Sequence, residues 1–118
     1  MADNQLVSLS KSFAVTIINI TEELWDRRKA TGIINQLLRS GTGIGANIHE
    51  GNYAASRADF INKFQIALKE CYETEYWLEI MHEAAVLTDE EFQNLNVRCS
   101  KIRRMLIASV NTARNRAD

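Results

Sequence analysis

The chain has 118 residues, is nearly half hydrophobic, contains no proline and carries a formal net charge of −1. That length fits one domain, 1–118, with a single core that needs no covalent staples. The near-neutral charge excludes a global basic field for nucleic acid, so any such binding has to rest on a local patch.

The missing proline, the main interior breaker of helices, fits long uninterrupted ones. Four helical segments account for nearly everything. The first is expected over 4–29, where Phe13, Ile17, Ile20 and Leu24 repeat at helical spacing and Val7, Val15 and Ile18 lie off that stripe. The second is expected over 31–53, with Ile34, Leu37, Gly41, Ile44 and Ile48 as its stripe. Ser56 then reads as an N-cap, with Asp59 three residues on. The third helix follows to about Ala85 on Phe60, Phe64, Ala67, Cys71, Thr74, Leu78, Met81 and Ala85. Thr88 caps the fourth and Glu91 completes a capping box. Phe92, Leu95, Cys99, Ile102, Leu106, Ser109 and Ala113 make its stripe, and residues 115–118 are expected to fray.

The linkers, 30–32, 54–56 and 86–88, are short enough to make successive helices antiparallel neighbours. The expected architecture is therefore all-α: an antiparallel up-down-up-down four-helix bundle. On the third helix, Ile66, Trp77, Ile80 and Ala84 fall on one flank of the stripe, and Ile61, Leu68 and Tyr72 on the other. A small bundle cannot wrap one helix all round, so this surplus of apolar surface points to a homo-oligomer, with Ile66, Trp77, Ile80 and Ala84 as its candidate interface.

Chemistry is harder to find. The run Gly41-Thr42-Gly43-Ile44-Gly45-Ala46 matches G-x-G-x-x-A, but in a dinucleotide-binding fold that turn follows a strand, and here it lies inside a helical pattern. Three interior glycines cost a helix roughly 3 kcal/mol relative to alanine. Close approach of a neighbouring helix at Gly41 and Gly45 is the better reading, and a local bend is open as well. Glu79 and His82 form one Glu-x-x-His pair, but a di-iron bundle uses two, and the other histidine, His49, has no glutamate three residues before it. Cys71 and Cys99 sit on apolar stripes and read as small buried hydrophobes. No catalytic set, metal set or cofactor loop emerges, so an enzyme is not expected.

Charge is unevenly spread. Residues 57–86 carry a net −3, which is either a solvated face or, at Glu70 and Glu73 beside Trp77, a set of partners for an arginine such as Arg39. The fourth helix carries Arg98, Lys101, Arg103, Arg104, Arg114 and Arg116 with no acid until Asp118. The helix dipole accounts for Arg114 and Arg116. For the mid-helix cations Arg98, Lys101, Arg103 and Arg104, dipole complementation competes with contact to nucleic-acid phosphates. No basic leader or cleavage-like site opens the sequence, and no apolar stretch approaches the about 20 residues that span a bilayer. The expectation is a cytoplasmic protein with no membrane association.

The run LLRSGTGIGANIHEG, followed by DFINKFQIALKECYETEYWL, closely resembles the bacterial four helix bundle protein family. These are the 23S rRNA-intervening-sequence proteins, encoded within insertions in large-subunit ribosomal RNA genes or elsewhere in bacterial genomes. The residues that carry the resemblance are Arg39, Ser40, Gly41, Ile44, Gly45, Asn47, Glu50 and Gly51, then Phe60, Ala67, Glu70, Glu73, Thr74, Trp77 and Leu78. The resemblance implies an antiparallel bundle assembled as a ring-like homopentamer. A related branch, the accessory proteins of diversity-generating retroelements, forms a basic pentameric barrel that binds nucleic acid, and this chain departs from it in charge. The shared run is best taken as architecture: Gly41 and Gly45 for close packing, Asn47 and Glu50 for hydrogen bonds at the helix end, Gly51 to relax the exit. The leading functional expectation is a non-enzymatic oligomeric bundle that binds structured RNA or an RNA-handling protein. The alternative is a protein-interaction scaffold with no nucleic-acid role.

Overall fold

The computed structural model describes residues 4–116, and all of its regular structure is helical: α1 Asn4–Asp26, α2 Thr31–Asn52, α3 Arg57–Glu83 and α4 Asp89–Arg114. The helices run up, down, up and down in a bundle of 52 × 21 × 20 Å. Each packs against its successor in sequence, and α4 returns to α1. The four contacts are unequal: α1–α2, α2–α3 and α3–α4 are extensive, whereas α1 and α4 touch far more sparingly.

The core is the sum of the four stripes. Phe13, Ile17, Leu24, Leu37, Ile44, Phe64, Leu78, Ile102 and Leu106 are among its fully buried side chains. Each such side chain contributes about 1.5–3 kcal/mol relative to exposure. The buried hydroxyls find partners close by. Thr21 donates to the Ile17 carbonyl at 2.8 Å, and Thr74 on α3 donates to Ser40 on α2 at 2.9 Å, in a layer that joins the two central helices. Cys71 and Cys99 are free and buried, with the Cys99 Sγ 3.7 Å from the Cys71 carbonyl oxygen. The neighbouring Cys99 thiol and burial push the Cys71 thiol far above its ordinary pKa, so it stays an inert hydrophobe.

The helix ends show two mechanisms. Ser56 and Thr88 cap α3 and α4 by accepting from the Asp59 and Glu91 amides at 3.1 Å, and Glu91 completes the capping box on the Thr88 amide at 2.9 Å. The connections after α1 and α3 turn on left-handed residues that are not glycine, whereas Tyr53 and Asn115 end α2 and α4 at φ of −108° and −90°. Arg28 and Ala30 have φ of 55° and 54°, so α1 stops at Asp26 rather than reaching Lys29 as its pattern suggests. Ala85, at φ 60°, ends α3, and the Val86 amide closes back on the Met81 carbonyl at 2.8 Å. Of the expected frayed tail, Asn115 still donates to the Asn111 carbonyl at 3.1 Å, and residues 117–118 lie outside those described.

Candidate functional site

Successive residues advance 100° around a helix, so Arg98 and Arg103 stand about 140° apart on α4. They turn to opposite neighbours. Arg103 faces α3: its Nε donates to Glu75 at 2.9 Å, an Nη donates to Ser100 at 2.9 Å, and the guanidinium lies 5.5 Å from the Tyr72 ring centre. The bond to Glu75 raises the Arg103 pKa further above its ordinary value. Arg98 faces α1: it donates to Thr16 at 3.0 Å, Ser12 at 3.2 Å and its own helix's Asn94 at 3.2 Å, over the Phe13 ring at 5.7 Å. Lys101 and Arg104 are exposed on the outer face between them, beside Val97, and pair with no acid among the described residues. The four expected phosphate contacts therefore divide into two free cations and two engaged at helix seams.

The α1–α4 seam adds what α4 alone does not show. Between Asn4 and Thr21, α1 has no acidic residue, and neither does the chain from Phe92 to Arg116. Antiparallel packing lays these two acid-free stretches side by side. The acids gather next along the seam, where Thr16 and Asn94, the partners of Arg98, line a cleft of about 240 Å³ with Ile20, Glu90, Glu91 and Leu95, and Glu91 lies 3.8 Å from Arg27. The α1 side of this surface escaped the sequence reading, although Ser8, Ser12 and Thr16 at four-residue spacing within an acid-free run are its visible signal.

The glycine-bearing segment of α2 is gripped from both sides. A Cβ on Gly41 would stand 2.9 Å from the Ile17 side chain of α1; on Gly43 it would stand 2.5 Å from the Glu70 carboxylate of α3; on Gly51, 2.6 Å from the Phe64 ring. Gly45 meets only ordinary contact, with its Cβ position 3.4 Å from the Ser10 carbonyl oxygen. Gly51 thus makes room for Phe64 from within α2, rather than relaxing the helix exit, and no glycine among the described residues has positive φ. Asn47 donates to the Gly43 carbonyl at 2.8 Å, back along its own helix, and Glu50 pairs with Lys63 of α3 at 3.7 Å.

Beside Gly43, Arg39 bridges Glu70 and Glu73, pairing with Glu70 at 3.5 Å and more closely with Glu73. The Trp77 indole N–H also faces Glu73, at 3.4 Å. Partial burial raises the Glu70 pKa above the ordinary carboxylate value, Arg39 opposes this and Glu73 adds to it. The cluster holds two carboxylates to one guanidinium, so it joins α2 to α3 with negative charge to spare.

The flank of Ile66, Trp77, Ile80 and Ala84 lies on the α2 side of α3; Trp77 and Ile80 are half-buried there, while Ile66 and Ala84 are exposed. His82 turns to Asp89, 2.6 Å away, and stacks on Phe92 with ring centres 4.3 Å apart. Among the described residues no group of three or more His, Cys, Asp or Glu is placed to hold a metal ion. No helix of the described residues is long and apolar enough to cross a membrane.

These features define an all-α antiparallel bundle whose second helix is drawn tight against both neighbours by small residues. The family described as 23S rRNA-intervening sequence protein matches residues 2–108, and the chain belongs to that family. The chain is also similar to a crystal structure from Bacteroides thetaiotaomicron VPI-5482, of a protein of unknown function from the S23 ribosomal protein family. The two share 44% identity at a TM-score of 0.89, over 94% of this chain and 99% of that one. No curated protein matches.

Proposed function

We propose that this protein is a non-enzymatic, self-assembling bundle that binds structured RNA along the outer face of α4 and its seam with α1. The observation that carries the reading is the segregation of charge. Two acid-free helical stretches lie side by side with Lys101 and Arg104 unpaired and exposed, while α3 gathers the acids. Phosphate contacts supply most non-specific nucleic-acid affinity, and a ring of subunits multiplies a modest patch without a basic chain. Assembly is supported by the apolar flank of α3, and the pentamer by the resemblance in sequence.

The test is RNA binding by nuclease-treated protein across a salt series, with oligomeric mass measured in the same buffer. Affinity should fall steeply with salt, and the double variant Lys101→Glu, Arg104→Glu should lose most of it. Unchanged binding in that variant overturns the assignment of the patch. A protein-interaction scaffold is the second reading, favoured by Val15, Ile18 and Trp25 of α1, each about half exposed at 53%, 45% and 50%. It predicts no RNA affinity even at low salt, and a partner retained through nuclease treatment.

A further inference from the structure

Three arginines of this bundle meet acids within it. Arg27 meets Glu23, Arg39 meets Glu70 and Glu73, and Arg103 meets Glu75. Arg98 is half-buried in the α1–α4 seam, and its acceptors are all neutral: two hydroxyls and one amide oxygen. Neutral dipoles fix a guanidinium plane without cancelling its charge, and a partly desolvated cation without a counter-ion favours an anion. The bond to Thr16 is part-buried, whereas those to Ser12 and Asn94 lie at the surface, so one edge of the guanidinium opens outward. Ser12 is exposed, accepts from Arg98 and keeps its own proton to donate. Lys101 stands one turn further along α4, and the nearest acids on that helix, Glu90 and Glu91, are about 10 Å away along its axis.

We propose that Arg98 and Ser12 form a seat for a single phosphate group. The open guanidinium edge and the Ser12 hydroxyl donate to its oxygens, Thr16 and Asn94 hold the arginine in place, and Lys101 adds long-range charge. As a contact to a phosphodiester this deepens the RNA reading and rests on it; as a seat for phosphate itself it stands apart from that reading.

The experiment has two arms on the whole chain. In the first, the Arg98 Nε–H resonance, assigned by its loss in Arg98→Lys, is followed as inorganic phosphate is added against chloride at matched ionic strength. A saturable shift in the millimolar range, weakened several-fold by Ser12→Ala, is expected. Because Ser12 is exposed, that variant keeps the fold, which its melting curve verifies. In the second arm, binding of an RNA hairpin should weaken several-fold in Ser12→Ala, and its salt dependence should drop by about one phosphate in Arg98→Gln. Phosphate moving Arg98 while no RNA binds supports the seat and removes RNA as its source. If phosphate shifts Arg98 no more than chloride does, the seat is overturned, whether or not the Lys101 and Arg104 variants abolish RNA binding.

Discussion

Gly43 and Gly51 would each place a Cβ within 2.6 Å of an α3 side chain, yet alanine should act differently at the two. Phe64 is fully buried and in contact with Phe60, with ring centres 4.1 Å apart, so Gly51→Ala has to move a packed ring. A loss of about 1–3 kcal/mol in chemical denaturation is expected. At Gly43 the obstacle is the end of the Glu70 chain, which can swing away. There the helix gains up to about 1 kcal/mol of propensity, so Gly43→Ala should be near neutral in stability while loosening the Arg39–Glu70 pair. Glu70 itself carries a sign. Its pKa is raised, so the native state holds its proton more tightly than the unfolded chain, and its contribution to stability grows as pH falls through the folded pKa. Relative to Glu70→Gln, the wild type should gain stability as pH drops from neutral, levelling off below the ordinary carboxylate value; denaturation midpoints over pH 4–7 check this. That small residues serve close approach was legible in the sequence. Which neighbour each serves was not, because it depends on the helix lying to either side of α2.

At the scale of the element, the capped starts of α3 and α4 were legible and the left-handed stops of α1 and α3 were not. Ser56 and Thr88 are capping residues that announce themselves with an acid three positions on. The stops of α1 and α3 use Arg28 and Ala85 in left-handed geometry, where sequence reasoning looks for glycine or asparagine, and Ala30 at the start of α2 is left-handed too. A left-handed non-glycine residue costs roughly 1–2 kcal/mol, more than the roughly 0.5–1 kcal/mol that glycine's extra freedom costs in the unfolded chain. Ala85→Gly should therefore stabilise the protein by about 0.5–1 kcal/mol, seen as a raised melting temperature. The candidate patch was half legible for a related reason. Four cations in seven residues of α4 are plain in the sequence, but one helical repeat spreads them over three faces, and the seam partners on α1 are more than eighty residues away.

For the whole molecule, the four-helix architecture followed from periodicity and short linkers, and the all-α bundle matches it. Assembly is a separate matter, because Trp77 and Ile80 already have some cover from within the subunit. If they also serve a subunit interface, Trp77→Ala should lower the oligomeric mass in sedimentation at concentrations where the subunit stays helical. A variant that melts earlier at unchanged mass would assign Trp77 to its own subunit, through its packing and the Glu73 contact.

The sparing contact between α1 and α4 gives the bundle a spine and two covers. The spine is α2 with α3, bound by the Ser40–Thr74 layer, the Arg39 bridge and the glycine contacts. The covers meet along an edge where Arg98 lies over Phe13. Local opening follows the line of fewest packed contacts. Hydrogen exchange should therefore reach α1 and α4 amides along that edge through partial openings, while α2 and α3 amides wait for global unfolding. An oligonucleotide seated along the edge would act as a clasp, slowing exchange in the covers and leaving the spine unchanged.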